Sequence, residues 1–400
     1  MELEEAVSRL KNALTPIKET ELCPVADAAG RIAARDVYAP VNVPPFAKSA
    51  MDGYAVRAED VSGAAEVAPV QLRVVGELFA GDWKEFSAVQ MPSAVRVMTG
   101  SPVPDVFDAV VMQEDTDYGE ETVKIYKAVS AGQNYCAVGE DIKKGELVLK
   151  AGIKIGRSHI GLLSSIGIEK VEVCRKIRVA VISTGSELVE GGKPLAPGKI
   201  YSSIAPMLCC AIQSCGQSVI QNLIVKDDEK EIASAVKNAS SQADIIITTG
   251  GVSVGKKDLL PSVLDSLGVE ALFSRVNIQP GTPTRAGMLN GKLLLCLSGN
   301  PYAALANFDI YFYQAISVLT GCRKLSPQKK QAVLASPYEK INRMRRFVRA
   351  YYEDGKVILP SQNHASSVIS NMTDCNCYID IPAGMPCKPG DKVSVWMIKD

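Results

Sequence analysis

Three short segments combine hydroxyl side chains with glycine in a way that suits anion binding. They are Ser183-Thr184-Gly185-Ser186-Glu187, Thr248-Thr249-Gly250-Gly251-Val252-Ser253-Val254-Gly255 and Leu297-Ser298-Gly299-Asn300-Pro301. Glycine lets the backbone approach a ligand closely, and successive N–H groups form a nest for negative charge. Any one of them could serve only to turn a strand into a helix, but three on successive strands argue for a shared anion site. None is a GxxxxGK(S/T) phosphate loop, and no GxGxxG string follows the first strand. P-loop ATP hydrolysis and nicotinamide chemistry are therefore disfavoured. Acids stand beside the turns: Glu187 after the first, Asp227 and Asp228 after another apolar run, and Asp258 after Gly255. A phosphate site lined by carboxylates needs a divalent cation, since like charges otherwise repel the ligand. Asp227 and Asp258 also suit the N-caps of the helices that follow, and both roles can coexist.

These loops must be positioned by the alternation of apolar runs and helical stretches from Lys176 to Gly321. IRVAVIST reads as a strand buried on both faces, SSIAPMLCCAIQSCG as a helix, SVIQNLIV as a strand and DDEKEIASAVKNASS as a helix. ADIIITTGG, DLLPSVLDSLG, KLLLCLSGNP and AALANFDIYFYQAISVLT continue the series. Such alternation predicts a doubly wound α/β unit with a mainly parallel sheet, whose ligands bind at the carboxyl ends of the strands. Around it the texture differs. Residues 1–35 read as helical, punctuated by Thr15-Pro16 and Gly30; residues 55–150 read as a small all-β unit of short Val-rich strands. Arg157 to Ile168 is helical, and the chain beyond residue 323 returns to β texture, a small barrel or sandwich.

The chain has 400 residues, enough for two to four domains, and its 44 basic and 44 acidic side chains cancel. A nucleic-acid binder normally carries a net basic surface, so the simplest case for that class is removed. With 47% hydrophobic and 22% charged residues the composition is that of a globular protein. No apolar run is long enough to cross a membrane, and MELEEAVSRLKNAL lacks the apolar stretch of a signal peptide, so a cytoplasmic location is expected. The eleven cysteines include no CxxC pair, and nothing completes a site around Cys375-x-Cys377. They read as reduced structural thiols. His159 and His364 are the only histidines, which argues against a His-rich metal site or a His-centred triad.

Six strings occur in a telling order: PPFAKSAMDGYAV, VMTGSPVP, VGEDIKKG, ISTGSELV, TTGGVSVGKKD and LSGNPYAA. By these the chain resembles the molybdopterin molybdotransferases, the bacterial MoeA type shared with the E domains of gephyrin and of its plant counterpart. The resemblance covers nearly the whole chain. It implies the last step of molybdenum cofactor synthesis, in which molybdate is placed on the dithiolene of adenylylated molybdopterin and AMP is released with Mg²⁺. It also implies an elongated homodimer that acts on small-molecule substrates, with a molybdopterin adenylyltransferase as a possible partner and neither nucleic acid nor membrane. The architecture implied is multidomain α/β plus β. Residues 1–45 and 142–175 would form a discontinuous elongated domain, and 46–141 a small β domain carrying SAMDGYA. Residues 176–322 would form the α/β molybdopterin-binding domain, and 323–400 a C-terminal β-barrel-like domain.

Carried over residue by residue, the resemblance makes Asp52, Asp141, Asp227 and Asp258 catalytic, with Asp227 and Asp258 also holding metal. Substrate contacts would come from Ser49, Gly53 and Tyr54 in SAMDGYA, and from Thr99 and Gly100 in MTG. The strand-end loops would add Thr184, Gly185, Glu187, Thr249, Gly250, Gly251, Ser253 and Gly255. Pro280, Gly281 and Pro283 would follow, then Ser298, Gly299, Asn300 and Pro301, and Ser366 in a Ser-rich stretch resembling the family's QGS region. One departure matters. Many members carry KPGKP with both lysines near molybdate, whereas this chain has Gln279-Pro280-Gly281-Thr282-Pro283-Thr284-Arg285. The counter-charge is expected instead from Arg285 and Arg345, with Arg275 and the rest of the Arg343–Arg346 string as further sources. Two other readings stay open, a non-catalytic dimeric scaffold of the gephyrin type and a tungstate-preferring homologue. An adenylylating enzyme with the same α/β domain is disfavoured by the added regions around SAMDGYA and after residue 325.

Overall fold

The computed structural model describes residues 1–86, 88–252, 259–360 and 364–398. Ser253, Gly255 and Asp258 therefore lie outside the described residues. The first helix, α1 (Leu3–Asn12), buries Leu3, Ala6 and Leu10 along one stripe and ends ahead of Thr15-Pro16. The helical reading of residues 1–35 holds only for this part. Beyond it β1 (Thr20–Pro24) pairs antiparallel with Lys170–Cys174, a partner far away in sequence. Next, β2 (Gly53–Val56), β3 (Val70–Leu78), β4 (Ser93–Val97), β5 (Ala109–Met112) and β6 (Thr122–Ile125) make a sheet of order β5-β2-β4-β3-β6. Helix α2 (Arg157–Ser165) and β7 (Lys170–Cys174) lead into the α/β unit.

That unit contains β8 (Arg178–Thr184), α3 (Ile204–Ser214), β9 (Ser218–Val225), α4 (Glu229–Ser240), β10 (Ile245–Thr249) and α5 (Leu260–Ser266). It continues through β11 (Glu270–Ser274), β12 (Ile278–Gln279), β13 (Arg285–Leu289), β14 (Lys292–Leu297) and α6 (Pro301–Leu319). Among the described residues the sheet order is β9-β8-β10-β14-β13-β11. The first four strands are parallel; β13 and β11 join antiparallel at one edge. Alternation along β8 explains its unbroken apolar run. Val179 and Val181 belong to the core on one face, Ala180 and Ile182 to the core on the other.

The last strands are β15 (Lys329–Leu334), β16 (Arg345–Glu353), β17 (Lys356–Ile358), β18 (Cys377–Ile381) and β19 (Lys392–Met397). They run β16-β17-β15-β19-β18, and β18 returns to β16, so the sheet closes as a barrel and leaves none of the five as a free edge. The short strand β12 of the α/β unit docks parallel on β16, with Gln279 in register with Arg346. Helix α6 is apolar nearly all round and is buried accordingly. Its core continues into α1 and into the barrel through Phe347, Tyr378 and Trp396. No described helix is long and apolar enough to cross a membrane.

Candidate functional site

The carboxyl ends of β8, β10 and β14 open into a cavity of about 940 Å³. The described parts of the three Gly/Ser loops foreseen from the sequence line it, and they interlock. Thr184 Oγ1 donates to the Thr249 carbonyl (3.3 Å), and Gly250 N–H donates to the Leu297 carbonyl (3.1 Å). Gly250 has φ +93°, and a Cβ there would lie 2.4 Å from the Thr184 carbonyl oxygen. Only glycine permits that approach. Thr184, Gly185, Glu187, Thr249, Gly250 and Gly251 all face the cavity, as do Ser298, Gly299, Asn300 and Pro301 at the N-terminus of α6. A 19-residue helix starting there presents unpaired N–H groups and the positive end of its dipole to an anion.

Asp227 lines the cavity, exposed, and its role is separated from that of its neighbour. Asp228 is the N-cap of α4, accepting from Lys230 N–H (2.9 Å) and Glu231 N–H (3.0 Å). Asp227 instead accepts from Ser186 N–H (2.9 Å), and its own N–H donates to Ser186 Oγ (3.1 Å). The N-cap alternative for Asp227 is therefore corrected, because the helix starts one residue later. Asp227 and Glu187 bring two carboxylates to one cavity. Among the described residues no three metal-ligating side chains cluster.

The same cavity is also lined by the basic side chains Lys340, Arg343 and Arg346, by His364 and Ser366, and by the turn Gln279–Pro283. Pro280, Gly281 and Pro283 are thus cavity residues. Gly281, at φ +93°, packs on α6, where a Cβ would meet the Asn307 amide nitrogen at 1.8 Å. Asn307 holds the turn by donating to the Pro280 carbonyl (3.0 Å). Two expected arginines are placed elsewhere. Arg345 is spent on Asp380, with both contacts at 2.6 Å, and on Glu4 of α1 at 2.7 Å. Alternation along β16 turns its neighbour Arg346 the other way, beside Gln279 and into the cavity. Among the described residues the Arg346 guanidinium makes only long contacts, to Asn342 Oδ1 (3.4 Å) and the His364 carbonyl (3.3 Å). Its Nε has no partner among the described residues. Arg285 lies on β13, and neither it nor Arg275 reaches the cavity wall. Burial and the nearby Arg349 and Arg346 hold His364 below the usual histidine range, so it is neutral near pH 7.

A second group stands apart from this cavity. Thr99 donates to Asp52 Oδ1 from its N–H and from its hydroxyl, both at 2.7 Å, which lowers the Asp52 pKa. Gly100 N–H donates to the Ser49 carbonyl (2.8 Å). Ser49 itself is buried, and Asp141 is exposed on its own loop. Gly53 and Tyr54 belong to the interior of the small sheet: Tyr54 is fully buried and its hydroxyl donates to the Gly119 carbonyl (3.1 Å). A substrate role for Tyr54 is corrected on that ground, since β2 is the strand flanked by β5 and β4 and its ring fills the core.

Comparison with known proteins agrees with this arrangement. Residues 1–167 match the MoeA N-terminal region (domain I and II). Residues 180–317 match a probable molybdopterin binding domain, and 331–398 the MoeA C-terminal region (domain IV). The molybdopterin molybdenumtransferase of Staphylococcus epidermidis is 35% identical over 385 residues, spanning 96% of this chain and 91% of that protein. The chain belongs to the MoeA family. A Staphylococcus aureus protein of the same name is 34% identical over the same shares. Two structures of the molybdopterin biosynthesis moeA protein of Pyrococcus horikoshii superpose with TM-scores of 0.86 and 0.85 at 32% and 30% identity. They cover 100% of this chain and 99% and 100% of theirs. The MoeA resemblance read from the six strings therefore stands, and so does the multidomain α/β-plus-β fold. Within the MoeA framework, sequence reasoning missed Arg346, Lys340 and His364 as individual cavity residues. The signal for Arg346 was present: in a strand where Phe347 faces the core, the two arginines before it must diverge.

Proposed function

We propose that the protein is a molybdopterin molybdotransferase, acting on adenylylated molybdopterin and molybdate. The observation that carries this is the polarity of one cavity. The strand-end loops, the carboxylates of Glu187 and Asp227, and the cations Arg346, Arg343 and Lys340 line the same cavity. The loops and acids suit a pyrophosphate with a cation, the basic side chains a free oxyanion. The chemistry balances without redox: the dithiol and molybdate give the dithiolene trioxomolybdenum dianion and one water, with the thiol protons leaving on the departing oxygen. Release of AMP consumes one water across the phosphoanhydride.

Asp227 and Glu187 offer hard oxygen donors of the kind Mg²⁺ takes, and Asp258 is a third donor by family motif alone. When bound, Mg²⁺ would neutralise charge on the phosphoanhydride. Asp227 is held toward that position by Ser186. Arg346 stands where the family's first lysine would be matched, across the β12–β16 pair from Gln279, and supplies the missing cation. The Asp52–Thr99 pair lies outside this cavity's wall, which supports a homodimer in which a second subunit completes the cleft. The reading extends to a cytoplasmic enzyme supplied by an adenylyltransferase.

The test is reconstitution with adenylylated molybdopterin, Mg²⁺ and either molybdate or tungstate, with AMP measured by chromatography. AMP should form only when protein, oxyanion and Mg²⁺ are all present. AMP at the level of the protein-free control would reject the assignment and favour a scaffold role.

A further inference from the structure

Arg349 is 1% exposed, among the largest side chains buried in the molecule. A guanidinium is costly to bury unless its donors are satisfied, and burial pulls its pKa down from the usual value. Here it donates to main-chain carbonyls of one short segment: Nη1 to Val368 at 2.6 Å and Nη2 to Ala365 at 3.1 Å. Its Cζ also lies over the Tyr302 ring, 4.1 Å from the ring centre. Tyr302, equally buried, is the second residue of α6 and directly follows the Ser298–Pro301 loop. Its hydroxyl donates to the Phe347 carbonyl (2.6 Å) and accepts from Arg349 N–H (2.9 Å). Its own N–H donates to the Ser366 carbonyl (3.1 Å).

These bonds close a ring around one side of the cavity. From the start of α6 it passes through Tyr302 to Arg349 on β16, then to residues 365–368, and back to Tyr302. Residues 364–369 have no strand or helix ladder of their own, so their position rests on such contacts. Yet this segment brings His364 and Ser366 to the cavity, and Arg346 leans on its His364 carbonyl.

We propose that Arg349 is a positioning residue: with Tyr302 it fixes residues 364–368, which carry His364 and Ser366 and support Arg346, against the Ser298–Pro301 loop at the start of α6. The proposal rests on the molybdotransferase reading for its activity arm only. Arginine is required because two carbonyls are taken at once by a planar fork, which a lysine ammonium does not reproduce.

The experiment compares wild type with Arg349→Lys and Tyr302→Phe, by amide hydrogen exchange across residues 364–372 and by molybdate-dependent AMP release. Arg349→Lys should speed exchange in that segment roughly tenfold or more, the scale of one lost charge-assisted bond. It should raise the KM for molybdate several-fold while kcat at saturating molybdate changes little. Tyr302→Phe keeps the ring and the N–H and should move both readouts in the same direction by less. Native exchange in a folded Arg349→Lys protein would overturn the proposal, as would a fall in kcat at unchanged KM. Should Arg349→Lys fail to fold, Tyr302→Phe decides by the same two readouts. Wild-type protein that releases no AMP would sink the functional reading, while the exchange data would still judge the ring.

Discussion

Adjacent residues of the same type do different work in this protein, and that is where sequence reading reached its limit. Asp227 and Asp228 are chemically identical and both follow β9, but only Asp228 meets the free N–H groups of α4. Asp228→Ala should cost about 1 kcal/mol of stability, the usual value of an N-cap, with turnover per folded molecule unchanged. Asp227→Asn should leave the thermal midpoint near wild type and sharply reduce AMP release; an outcome with the two effects exchanged would restore the cap reading for Asp227. Arg345 and Arg346 form a second such pair. Arg346→Ala should raise the KM for molybdate roughly ten- to a hundredfold, the value of one charge-assisted contact. Arg345→Ala should instead lower the melting temperature by freeing Asp380 and Glu4, with molybdate dependence unchanged. Titration of molybdate against both variants checks the assignment. One residue of phase on a strand or at a helix start decides each case, and composition does not carry that phase.

At the level of elements, what was legible was what is local. Every strand and helix proposed between residues 176 and 321 exists, because buried strands and amphipathic helices leave a periodic mark. The antiparallel edge was missed although its signal was there. Asn290 and Gly291, both at positive φ, turn β13 into β14 in the manner of a two-residue hairpin. Strand β1 had no such mark, since its partner β7 lies on the far side of the small sheet in sequence. Pairings of this range need a fastening, and Asp244 supplies one where β8, β10 and β14 begin. It accepts from Arg175 at 2.7 and 3.0 Å and from Arg178 N–H at 2.8 Å, with Lys292 at 3.7 Å. Burial would raise its pKa, but the hydrogen bonds and charges of the two arginines outweigh it and hold it at about 2. The unfolded carboxyl titrates near 3.8, so the stabilisation is full above that pH and is lost as pH falls toward about 2. An Asp244→Asn protein should be less stable at neutral pH and should show a shallower loss of stability across that acid window in equilibrium unfolding. Equal pH slopes for the two proteins would remove Asp244 from the account.

On the scale of the whole molecule, the residues that family motifs assign to one cleft fall into two places on a single chain. Glu187, Asp227 and Arg346 line the cavity, while Asp52 and Thr99 bond to each other elsewhere. If two subunits complete each other's cleft, mixing Asp52→Ala subunits with Asp227→Ala subunits should restore part of the AMP release that each lacks alone. No recovery after proven subunit exchange would confine the site to one chain. The continuous core bears on a different matter, the order in which the chain can fold as it is synthesised. Leu3, Ala6 and Leu10 of α1 share that core with Phe347, Tyr378 and Trp396 of the barrel. Helix α1 packs on α6 and β11, so its apolar stripe waits for segments made more than 250 residues later in the chain before it is covered. Until then α1 is open to holding chaperones, and the cavity, whose basic side chains come from residues 340–346, is completed later than the loops at its strand ends.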